Sequence, residues 1–197
     1  MSFSPATTTR SADTRVPILA ELAERWSPRS FDPQATISED QLDALLEAAR
    51  WAPSASNNQP RRFIVARRGT SAFDTIVSAL VGFNAAWAHN ASALIVGIAE
   101  TSSVEGDVRP YAEYDLGQAV AHLSVQAEAE GLVTHQMAGV EWDRIVAAFD
   151  LSDNMKPMTI TAVGTVDEAD RLPEALAERE TAPRRRLPLE ELVLLRS

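Results

Sequence analysis

The sequence contains no cysteine among its 197 residues. Without thiols the chain can form no disulfide, no thiolate zinc site and no cysteine nucleophile. Three glycine patterns are missing as well: Gly-x-Gly-x-x-Gly, the Walker A phosphate loop and Gly-x-Ser-x-Gly. The sequence therefore gives no support to a Rossmann site, a phosphate loop or a hydrolase nucleophile elbow.

Histidine is rare, and His89, His122 and His135 have no metal-ligand spacing. We therefore expect no metal site. His122 falls within a long predicted helix, where a structural role is the more common one. His135 falls in a segment without periodicity and is the more plausible site residue of the two.

Positive charge is scarce relative to negative charge. The 18 basic and 28 acidic residues give a formal net charge of −10, and Lys156 is the only lysine. This balance argues against a nucleic-acid-binding protein, which needs a basic face. Clustered arginines are informative against such a background, because the planar guanidinium donates two hydrogen bonds at once to a phosphate.

Long hydrophobic runs are missing too. No run reaches the roughly 18 apolar residues of a membrane helix, so we expect no membrane association. Residues 1–16 are polar and lack the apolar core of a signal peptide, and we interpret them as a disordered arm. With no targeting signal, the expected location is the cytoplasm.

The rest of the chain has the composition of a folded domain. Hydrophobic residues make up 45%, enough to bury a core, and we expect one α+β domain over residues 17–197. Helices are predicted over residues 17–25, 38–51, 70–82, 111–130 and 143–149. Strands are predicted over residues 61–66, 93–99 and 158–164.

Local signals support several of these elements. Ser38 and Gln41 form a capping-box pattern at a helix start, and Gly131 is a natural helix C-cap. Residues 93–99 are almost all apolar, which is typical of a central strand buried on both faces. Residues 132–140 look irregular, and residues 165–183 are charged and expected to be mobile.

Three polar clusters have no obvious packing role. They are Arg25, Ser27 and Arg29; the loop Pro53–Pro60; and Arg184 with Arg186. The arginine clusters have the chemistry of an anion site, whereas the Ser, Asn and Gln groups of the loop suit a heterocycle's carbonyls and ring nitrogens. Taken alone, each arginine cluster is more often a solvated surface, and the loop is more often an ordinary turn.

In order along the chain, five stretches resemble the FMN-dependent nitroreductase family. They are Arg25-Trp-Ser-Pro-Arg-Ser-Phe31, Ala52-Pro-Ser-Ala-Ser-Asn-Asn-Gln-Pro60, the helix Asp115–Leu132, His135-Gln-Met-Ala-Gly139 and Arg184–Glu191. The resemblance covers about residues 17–197. It implies a central, mostly antiparallel sheet surrounded by helices, and an intertwined homodimer with two FMN sites at the subunit interface.

The resemblance also implies which residues bind FMN. The matching positions are Arg25, Trp26, Ser27, Arg29, Pro53, Ser54, Ala55, Asn57, Gln59, Asn84, Gln136, Ala138, Gly139, Arg184 and Arg186. By this resemblance the arginines hold the phosphate and a ring edge, and the backbone N–H of Ala138 faces flavin N5. The Pro53–Gln59 loop reaches the flavin from the partner subunit.

The activity implied is that of an NAD(P)H-dependent oxidoreductase. It would reduce nitroaromatic, quinone or related small acceptors by a ping-pong mechanism, with NADH or NADPH as co-substrate. The 100–114 segment is shorter than the usual lid, and Tyr111 and Tyr114 lie where lid or substrate contacts arise. Two alternatives remain open: a flavin carrier or sensor, and a relative that removes halogen or fragments flavin.

Overall fold

The computed structural model describes residues 10–196. The helices of this part are α1 (Ala20–Glu24), α2 (Glu39–Arg50), α3 (Ser71–Ser78), α4 (Ala112–Ala129), α5 (Trp142–Ala148), α6 (Glu174–Thr181) and α7 (Leu189–Leu192). The strands are β1 (Arg61–Arg67), β2 (Ala93–Glu100), β3 (Val133–Met137) and β4 (Met155–Gly164). Short 3-10 turns occur at Ala55–Asn57, Gly82–Ala86, Ala88–Asn90 and Ala169–Arg171.

The four strands form one sheet in the order β1-β2-β4-β3, and every neighbouring pair is antiparallel. The α+β class and the antiparallel sheet are therefore as predicted. All residues of β2 are buried, as its apolar sequence indicated. Its side chains alternate between two faces, so that Leu94 and Val96 enter one core cluster while Ala93 and Ile95 enter another.

Helices cover both faces of the sheet. α2 and α4 pack on one face through Leu45, Ala119 and Leu123. On the other face, α3, α5 and α6 contribute Ile76, Ile145 and Leu176. The core thus lies in two layers on either side of β2 and β4, and the loops that carry the polar clusters lie at its margins.

The ends of the two long helices are set by local sequence. Ser38 accepts a hydrogen bond from the Gln41 N–H and the Gln41 side chain accepts one from the Ser38 N–H, which confirms the capping box. At the end of α4, the N–H of Leu132 donates to the carbonyl of Ala127 at 2.8 Å. Gly131 has a φ of +71°, as this Schellman arrangement requires.

The outward face of α4 is uncharged for most of its length. Tyr114, Gly117, Ala121 and His122 are exposed there, and no Asp, Glu, Lys or Arg occurs on that face between Tyr114 and Ala127. A Cβ added at Gly117 would meet no atom of the protomer within 4 Å. By contrast, the outer face of α2 carries Asp40, Asp43 and Glu47.

Three segments differ from the sequence prediction or limit it. Residues 132–140 were expected to be irregular, but Val133–Met137 forms the edge strand β3. Residues 165–183 were expected to be mobile, but they include α6, whose Leu176 and Glu180 are buried. The expected disordered arm falls partly on residues 1–9, which lie outside the described residues.

The described part of the arm contacts the folded chain. The Ala12 N–H donates to the carbonyl of Ala23 at 2.8 Å, and Arg15 pairs with Glu190 at 2.6 Å. Within residues 10–196, no helix is long and apolar enough to cross a membrane.

Candidate functional site

Arginines from the two ends of the chain meet at the end of α1. Arg184 donates from Nη1 to the carbonyl of Ala23 at 2.8 Å and from Nη2 to that of Arg25 at 2.9 Å. Nη1 also donates to the carbonyl of Arg10. Arg184 thus fixes the backbone from which the Arg25 side chain extends, although 159 residues separate the two in sequence.

Arg25, Arg184 and Arg186 form what we call the arginine cluster. Burial lowers the pKa of Arg25, and the charges of Arg184 and Arg186 lower it further. Burial and then Arg186 likewise lower the pKa of Arg184. The carboxylate that most strongly opposes this effect on Arg25 is Glu128, near the end of α4. Three positive charges held together in this way repel one another, and an anionic ligand would relieve that repulsion.

The segment Arg25–Asp32 packs on a buried aromatic stack. Nδ1 of His135 lies 2.9 Å from the carbonyl oxygen of Pro28, and it is the donor because a carbonyl can only accept. Burial lowers the pKa of His135 from 6.5 to about 4, so the ring is neutral near pH 7. The His135 ring lies 4.6 Å from Trp87, which stacks on Phe31 at 5.8 Å. His135 therefore supports the segment from behind.

A second wall is formed by Asn84 and the loop after β3. Nδ2 of Asn84 lies 3.4 Å from the carbonyl oxygen of Gly139, and the Val81 N–H donates to the same carbonyl at 3.0 Å. A Cβ at Gly139 would lie 2.9 Å from Asn84 Nδ2, so any larger residue there would force the Asn84 side chain to move. Ala138 is exposed beside it, and the exposed Gln136 donates to Ser124 at 3.2 Å.

The Pro53–Pro60 loop, here called the amide loop, is held in a strained conformation. Ser56, Asn57 and Gln59 all have positive φ, at 51°, 56° and 49°. Such residues cost free energy of order 1–3 kcal/mol each and cluster at functional sites. Ser54 Oγ accepts from the Gln59 N–H at 3.0 Å, and the Gln59 side chain donates to the Asn57 carbonyl at 3.2 Å. The loop tip is nevertheless exposed in the protomer.

Buried charges beneath the amide loop hold it in place. Asp115, only 2% exposed, accepts from the Ala55 N–H at 3.1 Å. Arg61, 8% exposed, donates to the carbonyl of Arg50 at 2.6 Å and reaches that of Pro53 at 3.5 Å. Asp115 favours the charged form of Arg61, whose pKa is lowered mainly by burial. These contacts anchor the amide loop at Pro53 and Ala55, immediately before its positive-φ residues.

The predicted site residues fall into two groups. The arginine cluster, Arg29, Asn84 and Gln136–Gly139 surround one region of the protomer, linked through β3 and α6. The amide loop lies at the other end of α4, because it binds Asp115 whereas Arg25 interacts with Glu128. Thirteen residues of helix separate these two positions, or roughly 20 Å at 1.5 Å per residue. Within one chain the structure does not bring the two groups together.

The expected substrate residues lie with the amide loop. Tyr111 and Tyr114 are 60% and 68% exposed at the start of α4, close to Asp115. The preceding segment is a tight turn, closed by a bridge between Ser102 and Val108 and tied back by a salt bridge from Arg109 to Glu100. The two tyrosines thus project from the same end of α4 as the exposed loop tip.

Sequence reasoning missed three charged residues that shape the site. Glu180 binds the backbone of the Arg25–Asp32 segment, Arg61 lies under the amide loop, and Arg10 lies with its guanidinium 3.9 Å above the Trp26 ring. For Glu180 a signal was present, because it follows Leu172 and Leu176 at four-residue spacing. Arg10 lies in the polar arm and had no such signal.

Comparison with known proteins gives the family. The model of the Nitroreductase family matches residues 22–165, which is more than half of the chain. The chain belongs to the nitroreductase family. A protein of Mycolicibacterium smegmatis described as an uncharacterized 15.4 kDa protein in the ask 5′ region is 39% identical over 138 residues. That match covers 66% of this chain and 92% of the relative.

Solved structures of the nitroreductase family share the fold. A structure described as an oxidoreductase containing FMN has a TM-score of 0.88 and 36% identity, covering 95% of this chain and 96% of its own. A putative nitroreductase in complex with FMN from Desulfovibrio desulfuricans has a TM-score of 0.75 and 22% identity, covering 93% and 99%. The major NAD(P)H-flavin oxidoreductase of Aliivibrio fischeri is 41% identical over 49 residues, which cover 25% of this chain and 22% of that relative.

Proposed function

We propose that this nitroreductase-family protein is an FMN-dependent NAD(P)H oxidoreductase that reduces small acceptors such as nitroaromatics or quinones. The observation that carries the proposal is the convergence of Arg25, Arg184 and Arg186 from the two ends of the chain. Three guanidinium groups held this close suit a phosphate dianion, whose charge would offset the burial and repulsion that lower the pKa of Arg25 and Arg184. The similarity to an FMN-containing oxidoreductase over 95% of the chain supports FMN as the ligand whose phosphate these arginines would bind.

The remaining residues fit the rest of a flavin. Arg29 lies 3.5 Å from Glu180, too far for a tight hydrogen bond, and its N–H groups remain available to a ring edge. Asn84 and the backbone beside Gly139 present neutral polar groups to the same region. The amide loop contributes Ser54, Asn57 and further amides, which suit ring carbonyls and nitrogens.

We further propose that each FMN site is shared between two copies of the chain. The amide loop and the arginine cluster lie near opposite ends of α4, roughly 20 Å apart along the helix axis, which favours their contacting different flavins. If α4 packs against α4 of a second copy about a twofold axis, the start of one helix approaches the end of the other. The uncharged outer face of α4 suits such a contact.

The apolar tail supports the same assembly. Leu187, Leu192, Leu194 and Leu195 are at least 60% exposed in the protomer. Exposed apolar segments of this kind mark interaction surfaces. A second copy would cover both this tail and the outer face of α4.

When bound, FMN would supply the redox chemistry, taking a hydride from NAD(P)H and passing electrons to the acceptor. The chain's own residues would bind and orient it. His135 is neutral near pH 7 and its Nδ1–H is committed to the Pro28 carbonyl, so we assign it a supporting role and no proton transfer. Tyr111 and Tyr114 lie at the same end of α4 as the amide loop. They would therefore lie near the acceptor, beside the flavin held by the arginine cluster of the second copy. The partial similarity to an NAD(P)H-flavin oxidoreductase supports the nicotinamide donor.

Optical spectroscopy of the purified protein tests this proposal. The protein should show flavin absorbance, and anaerobic NADH or NADPH should bleach it, with nitroaromatics or quinones restoring the colour. A yellow protein that neither nicotinamide reduces would favour a flavin carrier or sensor instead. A colourless protein that cannot be reconstituted with FMN would refute the proposal.

A further inference from the structure

A buried carboxylate from α6 accepts hydrogen bonds from the backbone of the Arg25–Asp32 segment. Glu180 is 3% exposed, and its Oε1 accepts from the N–H groups of Arg29 at 2.7 Å and Ser30 at 3.0 Å. A carboxylate is costly to bury unless charges and hydrogen bonds compensate it. Glu180 lies 150 residues away in sequence from Ser30, so this contact fixes the segment against the C-terminal part of the chain.

The same carboxylate also faces the Arg29 side chain. Nη1 of Arg29 lies 3.5 Å from Oε2 of Glu180, and the Arg29 side chain is 26% exposed. Within residues 10–196, Oε2 has no hydrogen-bond donor and the Arg29 guanidinium makes no hydrogen bond. The pair is thus oriented by charge, while the N–H donors of Arg29 remain available to a ligand.

A second arginine, Arg10, lies near Glu180. Arg10 lies close enough for Glu180 to favour its charged form, although burial lowers the Arg10 pKa. Arg10 itself rests on the Trp26 ring at 3.9 Å and donates to the Ala182 carbonyl at 2.9 Å. Glu180 therefore lies behind the binding segment, between Arg10 and Arg29, and offsets part of their positive charge.

We propose that Glu180 is a positioning residue of the flavin site, which aims the Arg29 guanidinium at the ring edge and sets how much positive charge the ring experiences. This inference rests on the proposed function. Positive charge beside the ring favours the reduced, anionic flavin over the oxidised, neutral one. A carboxylate behind Arg29 weakens that preference, so its removal should favour the reduced form.

Glu180→Gln tests the inference, because glutamine keeps an acceptor for the two N–H groups and removes the negative charge. The matched control is Glu178→Gln, which removes the charge of an exposed residue on the same helix. The readouts are the FMN midpoint potential by spectroelectrochemical titration and the dissociation constant of oxidised FMN. We expect a more positive potential for Glu180→Gln and an unchanged one for Glu178→Gln.

Arg29→Gln keeps the test decisive if Glu180→Gln does not fold. It removes the positive charge and leaves both backbone N–H groups, so the potential should move in the negative direction. If the wild-type protein binds FMN but the folded Glu180→Gln and Arg29→Gln variants have the same FMN midpoint potential as the wild type, this inference is wrong and the proposed function still stands. A wild-type protein that binds no FMN would overturn both the inference and the proposed function.

Discussion

Replacing Gly117 by leucine is expected to separate the two copies of the proposed dimer without unfolding either. Gly117 lies in the second turn of α4, on its uncharged outer face. No atom of the protomer lies within 4 Å of a Cβ built there, so a single folded chain accommodates the larger side chain. A second copy packed on this face would meet it.

The structure gives the magnitude for each case. In an isolated chain, the better helix propensity of leucine should stabilise α4 by about 0.5–1 kcal/mol, raising Tm by roughly 2 °C. In a dimer, overpacking costs about 1–3 kcal/mol per site. Because the contact contains Gly117 of both copies, the dimer would lose roughly 2–6 kcal/mol, and its dissociation constant would rise at least about thirtyfold.

Sedimentation velocity, thermal unfolding and the FMN content of the same samples measure these effects. We expect the Gly117→Leu protein to be a folded monomer that has lost most of its FMN. Asp43→Leu, an exposed position on the outer face of α2, serves as the control and should remain a dimer with FMN. A Gly117→Leu protein that sediments as a dimer and retains full FMN would show that this face of α4 is not the contact.

Three further predictions concern the binding region. Arg25→Ala should weaken FMN binding about tenfold or more by fluorescence titration, because a charged hydrogen bond contributes about 1.5–3 kcal/mol, while the exposed neighbour Arg185→Ala should have little effect. Gly139→Ala should also weaken FMN binding in the same titration, because the new Cβ would lie 2.9 Å from Asn84 Nδ2 and displace that side chain from the Gly139 carbonyl. The pKa of His135 is about 4 in the folded protein, against 6.5 for an unperturbed histidine. The contribution of the neutral, buried His135 to the free energy of unfolding is therefore complete above pH 6.5. It is lost as pH falls towards 4, by at most about 3 kcal/mol. Denaturant titrations of a His135→Gln variant should lack this pH dependence.

Periodic and capped elements could be predicted from the sequence. The capping box at Ser38, the Schellman end at Gly131 and the two-faced burial of β2 follow from local patterns that the structure confirms. Each of these signals lies within a few residues of the feature that it specifies. Tertiary packing therefore does not change the type or the ends of such elements.

Elements without a strong local pattern were missed. The strand β3 has the sequence Val-Thr-His-Gln-Met, in which no strict alternation occurs, and only its pairing with β4 makes it a strand. α6 consists mainly of Glu and Ala, and its helix depends on the burial of Leu176 and Glu180 against the rest of the fold. Both elements are specified by long-range contacts.

The site was predictable as a set of residue types but not as an arrangement. The spacing of Arg25 and Arg184 carries no sign that one guanidinium binds the other's backbone carbonyl. The spacing of Glu180 after Leu172 and Leu176 indicates its burial, but not its contact with Arg29, which is 151 residues away in sequence. The separation of the amide loop from the arginine cluster along α4 was likewise not readable from the sequence.

Complementation between two defective chains tests the shared site most directly. One chain would carry Arg25→Ala and Arg186→Ala, and the other Asn57→Asp and Gln59→Glu, with different affinity tags for isolating the mixed dimer. Each mutant alone should bind no FMN. We predict one FMN per mixed dimer, because one of its two sites then combines an intact arginine cluster with an intact amide loop. A mixed dimer without FMN, in which each site draws both parts from one chain, would contradict it.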